Sequence, residues 1–413
     1  MIRARTALLG AVMVLTSLPL EARPTSAANQ LGSLVIIGGV LRYDNELVWQ
    51  RIMALAGGDL ADIVVFPTAN NRPKLHGGFS VRGFQRYGGF VELMPISVTT
   101  TDFDLSYQKA TTDQILIDKI RGASGVFFVG GAPQRIATVL YGDDGSSSAV
   151  VDAIRDVYRS GGVIAGIDAG SAVLDTGIDA WSALRAGRVK TNQIHPGIGL
   201  IRDWLVDQHF LSHGRFAESL VAMRQLGFRY ALGVGVNTAV VITNGGEAEV
   251  MGDNGAVVVD LSRANSDQSV SAFNLKGARL SYLGNGDRFD LRTLTATPHA
   301  RKEEGFKVDP HAADHQSFSD EPVFVSDVLA NGMLRRLMIA ALDDVHHEAV
   351  GLAMADGAEL GDLAFKFRLY VGRDSMGWLE TSSGSERYTV LNVCLDVMPT
   401  TKRSQALHLR PDL

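Results

Sequence analysis

Five short apolar runs, each ending in a turn rich in small or polar residues, constrain the fold of this chain most strongly. They occupy residues 34–37, 62–66, 91–95, 125–129 and 163–167. The segments between them, such as 46–56, 112–120 and 150–158, space their apolar residues as amphipathic helices do. Continuous apolar strands alternating with such helices are typical of a parallel sheet covered on both faces. The sequence predicts a doubly wound α/β domain with its functional residues at the carboxyl ends of the strands.

The pattern changes after about residue 244, where strands become shorter and polar stretches longer. We predict an α/β domain at 29–245 and a β-rich extension at 246–295, with a hairpin at 249–255. A polar linker follows at 296–325, in which Arg301 and Lys302 are expected to be solvated. The last part, 326–413, is predicted to be an α+β module, with a helix at 328–342 and strands at 365–371 and 388–397.

The N-terminus has the pattern of a secretory signal peptide. Arg3 and Arg5 precede the apolar stretch 7–20, and small residues close it at 26–28. Cleavage near Ala27 or Ala28 would release an exported, periplasmic or extracellular protein that no longer contacts the membrane. An uncleaved anchor or a buried helix is the alternative, but the apolar stretch is short for a span and contains Pro19.

Composition excludes some functions. The 413 residues have a formal net charge of -6, which gives no general attraction to nucleic acid. Cys394 is the single cysteine, so no intrachain disulfide can form. The paired glycines at 38–39 and 130–131 complete no phosphate-binding motif, and no cofactor is predicted.

Residues 166–170, Gly-Ile-Asp-Ala-Gly, have the outline of a nucleophile elbow, a sharp strand-to-helix turn with the nucleophile at its tip. The tip is normally serine, but here it is Asp168. Its carboxylate is already ionised at neutral pH and gains nothing from a general base. It would also occupy the oxyanion donors, which we expect to be the Ala169 N–H and one N–H of the turn at Gly131.

Three roles remain open for Asp168: a helix N-terminal carboxylate, a ligand-binding group or a nucleophile. Ser171 is the obvious replacement nucleophile, but it would lie one turn into the following helix. We interpret it as a small packing residue.

Several of these motifs together resemble the cyanophycinase family. They are residues 32–39, 127–131 with Gln134, the elbow, 207–210 with Gly214 and Arg215, and 286–291. Proteins of this family are serine-type peptidases with a class I glutamine-amidotransferase-like fold that cleave the β-Asp-Arg units of cyanophycin, and exported members exist. The resemblance extends over about residues 31–295.

The resemblance implies roles for individual residues. His209 corresponds to the catalytic base, and the substrate-lining positions correspond to Gln134, Asp207, Gln208 and Arg215. The family's serine falls on Asp168, its acidic triad member on Val236 and a further arginine on Glu218. Loss of triad members removes orders of magnitude in rate.

We therefore expect a peptidase-like protein that has lost the serine chemistry and keeps a pocket. The ligand would be a cationic, peptide-like molecule or a cyanophycin-type polymer, attracted by Asp168 and Glu218. An active hydrolase using Asp168 as nucleophile or general base with His209 is the alternative. A partner-binding role of the C-terminal module is a third interpretation, and a homodimer is left open.

Histidine spacing raises the question of a metal site. His209 and His213 are four residues apart and could share a helix face, a spacing that metal ligands also use. The family role explains His209 without a metal, so no metal is predicted. The other close histidines, His311 with His315 and His346 with His347 and Glu348, are expected at the solvated surface.

Overall fold

The computed structural model describes residues 31–99, 102–142, 145–166, 170–174, 179–303, 305–313, 315, 317, 322–354, 362–380 and 387–402. The predicted signal peptide and the elbow residues Asp168 and Ala169 lie outside these ranges. Within them, no helix combines the length and apolar character that a bilayer span requires.

The first part of the chain alternates strands and helices as the sequence predicts. Its elements are β1 (Ser33–Ile37), α1 (Glu46–Leu55), β2 (Asp62–Phe66), α2 (Pro73–Gln85), β3 (Phe90–Leu93), α3 (Tyr107–Ala110), α4 (Gln114–Gly122), β4 (Gly125–Phe128), α5 (Pro133–Leu140), α6 (Ala149–Arg159) and β5 (Val163–Gly166). Strands β1, β5, β4, β2 and β3 are neighbours in that order, and each pairing is parallel.

Both faces of this parallel sheet are covered. Val35 and Ile37 of β1 face a core that includes Trp49 of α1, whereas Leu34 and Ile36 face a second core that includes Ile154 of α6. A strand that is buried on both faces has a continuous apolar sequence, which is why these strands could be predicted from the sequence. The predicted α/β fold class is confirmed.

The middle of the chain builds a second sheet and extends the first. Its elements are β6 (Gly170–Leu174), α7 (Ala180–Ala186), β7 (Ile194–Pro196), β8 (Ile201–Gln208), α8 (Arg215–Leu226), β9 (Tyr230–Val234), β10 (Ala239–Thr243), β11 (Glu247–Met251), β12 (Ala256–Asp260), β13 (Leu275–Leu283), β14 (Arg288–Asp290) and β15 (Thr295–Thr297). The antiparallel strands β10, β11, β14 and β15 continue the first sheet beyond β1.

The segment after the elbow corrects one prediction. Residues 170–174 form β6 instead of a helix, and Ser171 therefore lies in a strand. β6 pairs parallel with β8 and antiparallel with β7, so its backbone finds partners in the second sheet. A short apolar run fits a buried strand as well as a helix, and periodicity alone cannot separate the two.

The predicted hairpin at 249–255 is also wrong. Strands β11 and β12 flank the turn, but β11 pairs with β10 and β14, and β12 pairs with β9 and β13. The turn thus carries the chain from the first sheet to the second. Gly252 and Gly255, both with positive φ, redirect the backbone at its two ends.

The C-terminal part continues the second sheet. Its elements are α9 (Ala300–Glu303), β16 (Phe306–Val308), β17 (Val323–Val325), α10 (Met333–Asp343), β18 (Glu348–Met354), β19 (Leu363–Tyr370), β20 (Met376–Glu380) and β21 (Arg387–Thr401). β21 pairs with β13, and the rings of Trp181 and Phe365 lie 5.4 Å apart in the shared core. The C-terminal strands and the middle of the chain therefore form one continuous structure.

The segment 296–325 is not a solvated linker. It contains β16, which pairs with β20, and β17, which pairs with β18. Lys302 is 0% exposed, and its Nζ lies 2.8 Å from Oδ2 of Asp287, which is equally buried. Thr389 Oγ1 and the Tyr388 carbonyl complete the contacts of the ammonium group. The prediction failed because a polar composition does not reveal that a charge has a buried partner.

Candidate functional site

A cavity of about 880 Å³ opens at the carboxyl ends of β1, β4 and β5. Its wall includes Gly131, Gln208 and His209, three of the residues that the sequence assigned to the site. This is the edge of the parallel sheet where the predicted functional residues were expected. We call it the His209 cavity.

His209 directly follows β8 and adopts a left-handed backbone conformation, with φ of 53°. A methyl group on Gly39 would approach the His209 ring to 2.4 Å, so only glycine fits there. Burial lowers the pKa of His209, and the nearby Arg215 guanidinium lowers it further. The imidazole is therefore held in its neutral form at neutral pH, the form that accepts a proton.

The glycine turn after β4 forms another part of the cavity wall. The Ala69 carbonyl accepts a hydrogen bond from the Ala132 N–H at 2.9 Å, and Asn70 Nδ2 donates to the Gly130 carbonyl at 3.1 Å. A Cβ on Gly131 would lie 2.1 Å from the Ala69 oxygen, so this turn needs glycine for its close approach. The expected oxyanion role of Gly131 stays a prediction, because Ala169 and Asp168 lie outside the described residues.

Asp207 and Arg215 do not line the cavity, which corrects their predicted substrate-binding role. Both are buried, and the Arg215 guanidinium donates a hydrogen bond to Asp207 Oδ1. Oδ2 of Asp207 accepts a bond from Ser219 Oγ. An ion pair in the interior must be matched by hydrogen bonds of this kind. The pair therefore supports the segment beneath His209 instead of meeting a ligand.

Glu218 belongs to the same buried cluster. Its Oε2 lies 3.0 Å from Nη1 of Arg215, and its side chain is 1% exposed. Burial raises the pKa of Glu218 to about 8, which outweighs the opposing effect of Arg215. Burial therefore favours the protonated, neutral form of the Glu218 carboxyl. Glu218 is also not among the described residues that line the cavity, so the expectation that it adds negative charge to the ligand pocket is not met.

Two further predicted positions lie elsewhere. Gln134 is exposed in the first turn of α5 and is not among the described residues that line the cavity. Val236 is half-buried in the turn between β9 and β10, where its carbonyl accepts a hydrogen bond from Asn254 Nδ2 at 2.8 Å. Gly38 packs against the adjacent carbonyls of Val234 and Gly235. This turn therefore lies close to the loop that contacts His209.

Sequence reasoning missed the wall that α2 contributes. His76, Phe79 and Ser80 line the cavity from positions three and four residues apart on this helix, and Arg82 extends the wall. The Arg82 guanidinium lies 4.9 Å from the centre of the Phe79 ring. Trp49 of α1 also contributes. The i, i+3, i+4 spacing was visible in the sequence, but nothing distinguished it from a packing face.

The histidines form no metal site in the described part of the chain, where no group of three His, Cys, Asp or Glu side chains could hold a metal ion. His209 and His213 lie in the turn between β8 and α8, so they do not share a helix face as expected. His315 and His347, expected at the surface, face one another with ring centres 5.9 Å apart and each has a buried ring nitrogen.

The comparisons with known proteins agree with the resemblance that the sequence motifs indicate. The chain is 28% identical to the cyanophycinase of Trichormus variabilis over 287 residues, covering 66% of this chain and 90% of the relative. It is 26% identical to the cyanophycinase of Geminocystis herdmanii over 270 residues, covering 63% of this chain and 94% of that protein. No protein-family model matches the chain.

Among solved structures, a peptidase from an acI-B1 actinobacterium aligns with a TM-score of 0.44 and 18% identity, covering 63% of this chain and 98% of that one. The sequence similarity to cyanophycinases supports a cyanophycinase-like peptidase family with a peptidase or hydrolase function.

Proposed function

We propose that this chain is an exported, cyanophycinase-like protein that has lost serine hydrolase chemistry and binds a peptide-like ligand in the His209 cavity. The observation that carries the proposal is the absence of a carboxylate partner for His209 among the described residues. Its ring lies in the cavity wall, but no carboxylate of the described residues hydrogen-bonds it. Asp207, the acid whose charge raises the pKa of His209, is hydrogen-bonded to Arg215 and Ser219 instead.

The sequence at the two other triad positions agrees with this proposal. Asp168 stands where the family has its serine, and Val236 stands where the family has the acid that orients the histidine. Valine can neither hold the histidine tautomer nor stabilise an imidazolium. A carboxylate attacking an amide would have to form an anhydride and expel an amine, which is an unfavourable route.

The lining of the cavity indicates the ligand class. Among the described lining residues, Arg82 is the permanently charged side chain and none is acidic. Trp49, Phe79 and Phe127 provide aromatic surface. A carboxylate-bearing peptide fits this combination, since guanidinium groups bind carboxylates in a bidentate manner. A β-linked aspartyl dipeptide, or a polymer end composed of such units, has the required carboxylate.

Binding of a β-Asp-Arg dipeptide, measured by isothermal titration calorimetry, tests this function. Arg82→Gln should weaken binding by about tenfold or more, because a charged hydrogen bond is lost. Arg121→Gln, an exposed change on α4 away from the cavity, is the matched control and should leave binding unchanged. A dipeptide that does not bind the natural protein, or that binds both variants equally well, contradicts the proposal.

The alternative is an active hydrolase in which Asp168 acts as nucleophile or as general base with His209. In its favour, His209 lines the cavity and burial lowers its pKa, which leaves the imidazole able to accept a proton. Mass spectrometry of the peptide that contains Asp168, recorded during turnover, tests whether Asp168 acts as a nucleophile. A covalent adduct on that peptide would establish the nucleophile, whereas an unmodified peptide in a protein that binds without turnover supports the binding function.

Export is part of the proposal and has its own test. The full-length chain, expressed with its N-terminus intact in a bacterial host, should accumulate outside the cytoplasm. Its N-terminal residue should then follow Ala27 or Ala28. An intact Met1 on protein retained in the cytoplasm would contradict export.

A further inference from the structure

A second cavity lies at the amino end of β1, at the opposite edge of the parallel sheet from the His209 cavity. Its volume is about 720 Å³, within the range of small-molecule sites. Its wall shares no residue with the His209 cavity. The C-terminal turns of α6, the residues that lead into β8 and the ends of β1 and β10 contribute to this wall. We call it the Arg202 cavity.

The charged side chains in the described part of this wall are all arginines, namely Arg155, Arg159, Arg202 and Arg292. Arg155 and Arg159 are four residues apart on α6, a spacing that places side chains on the same face of a helix. Arg155 Nη2 donates to the Ile198 carbonyl at 3.3 Å, which holds α6 against the residues that lead into β8. The cavity therefore presents guanidinium groups from two elements that are in contact.

Three of these arginines have carboxylate partners, and those carboxylates are not among the described lining residues. The pairs are Arg155 with Asp152 at 3.5 Å, Arg159 with Asp156 at 3.0 Å and Arg292 with Asp290 at 2.8 Å. The pairs are at least partly exposed and contribute little energy. The guanidinium of Arg202 is exposed and has neither an ion pair nor a hydrogen bond within the described part of the chain. Arg202 is therefore the arginine that is free to bind an anion.

Two buried side chains of the wall have unused donors. Tyr158 is 7% exposed and Trp204 is 5% exposed, and the Trp204 ring stacks on Tyr230 with centres 5.2 Å apart. Neither the Tyr158 hydroxyl nor the Trp204 N–H has a hydrogen-bond partner among the described residues, and neither is among the unpaired polar atoms that are sealed from solvent. An arginine or an indole N–H can only donate. A wall with free donors and no described carboxylate favours a ligand that accepts hydrogen bonds.

We propose that the Arg202 cavity is a second ligand site, for an organic anion with one carboxylate on an apolar body. Arg202 binds the carboxylate, and Tyr158 and Trp204 supply neutral donors beside it. Arg202 and Trp204 are two residues apart on β8 and both line the cavity. Leu34 and Ile242, which pair across β1 and β10, provide apolar surface for the body of the ligand. The inference is independent of the function proposed for the His209 cavity, because the two sites have separate walls.

1-Naphthylacetate is a suitable probe, since it has one carboxylate on an aromatic body. Its binding is measured by calorimetry on full-length protein with Arg82→Gln, which removes the guanidinium of the His209 cavity. Two further probes each lack one feature: 1-naphthylacetamide has no charge, and acetate has no apolar body. The proposal predicts that both bind at least about tenfold more weakly than 1-naphthylacetate.

Variants of the wall complete the test. Arg202→Gln should weaken binding of 1-naphthylacetate by about fivefold or more, because a charged donor is lost, and Tyr158→Phe by about threefold or more. Arg185→Gln, an exposed change on α7 outside the cavity, is the matched control and should have no effect. Both wall variants should fold, since Arg202 is exposed and phenylalanine keeps the Tyr158 ring. No binding of 1-naphthylacetate, equal binding of the amide, unchanged affinity in either wall variant, or an equal loss in Arg185→Gln would overturn the proposal.

Discussion

Replacing Lys302 by methionine should destabilise the protein severely, although the polar composition of residues 296–325 predicts that this side chain is solvated. Its ammonium lies 2.9 and 2.8 Å from the two carboxylate oxygens of Asp287 and 3.0 Å from Oγ1 of Thr389. Methionine fills a similar volume but leaves the Asp287 charge buried without a counter-ion. Removing one partner of a buried pair costs about 3–5 kcal/mol.

The assay is urea unfolding followed by tryptophan fluorescence. Lys302→Met should reduce the free energy of unfolding by about 3–5 kcal/mol. The adjacent Arg301→Met is the matched control, because Arg301 is exposed, and should stay within about 0.5 kcal/mol of the natural protein. The double variant Lys302→Met, Asp287→Leu should lose less than the sum of the single changes, since the pair is lost together. A Lys302→Met variant as stable as the control would refute the buried pair.

Three further predictions concern the His209 cavity and its support. Because folding raises the pKa of Glu218 from 4.5 to about 8, the folded state binds a proton that the unfolded state releases, and stability should fall as pH rises through this window. Urea unfolding at about pH 5 and about pH 8 measures this loss of stability, which should be smaller in Glu218→Gln. An unchanged loss in the variant would contradict the raised pKa of Glu218. Gly39→Ala should abolish dipeptide binding, since its Cβ would lie 2.4 Å from the His209 ring, whereas Gly58→Ala has no atom within 4 Å of its Cβ and should bind normally. If calorimetry finds that the two glycine variants bind the dipeptide equally well, the close packing of Gly39 against His209 is wrong. NMR titration should find the pKa of His209 below its ordinary value, and a raised value would contradict the effect of burial.

The parallel sheet was predictable because burial on both faces leaves a simple sequence signature. The strand Asp62–Phe66 has the bounds that its apolar run indicates. The second sheet was less visible. Residues 170–174 pair with strands that begin at Ile194 and Ile201, and such long-range partners leave no local signal.

The candidate site was predictable only in part, and the reason is again burial. The motif 207–210 pointed to this part of the chain, and Gln208 and His209 line the cavity. Asp207 lies in the same strand, but adjacent strand residues point to opposite faces, so it is directed into the core. The α2 wall was missed because its polar residues follow no family motif.

The most direct test of the central claim is hydrolysis of cyanophycin by the purified natural protein, beside a variant with Asp168→Ser and Val236→Glu. We predict that the natural protein releases no β-Asp-Arg dipeptide, while the variant restores the residue types of the triad around His209 and gains cleavage. Release of dipeptide by the natural protein at an enzyme-like rate would contradict the loss of hydrolase chemistry.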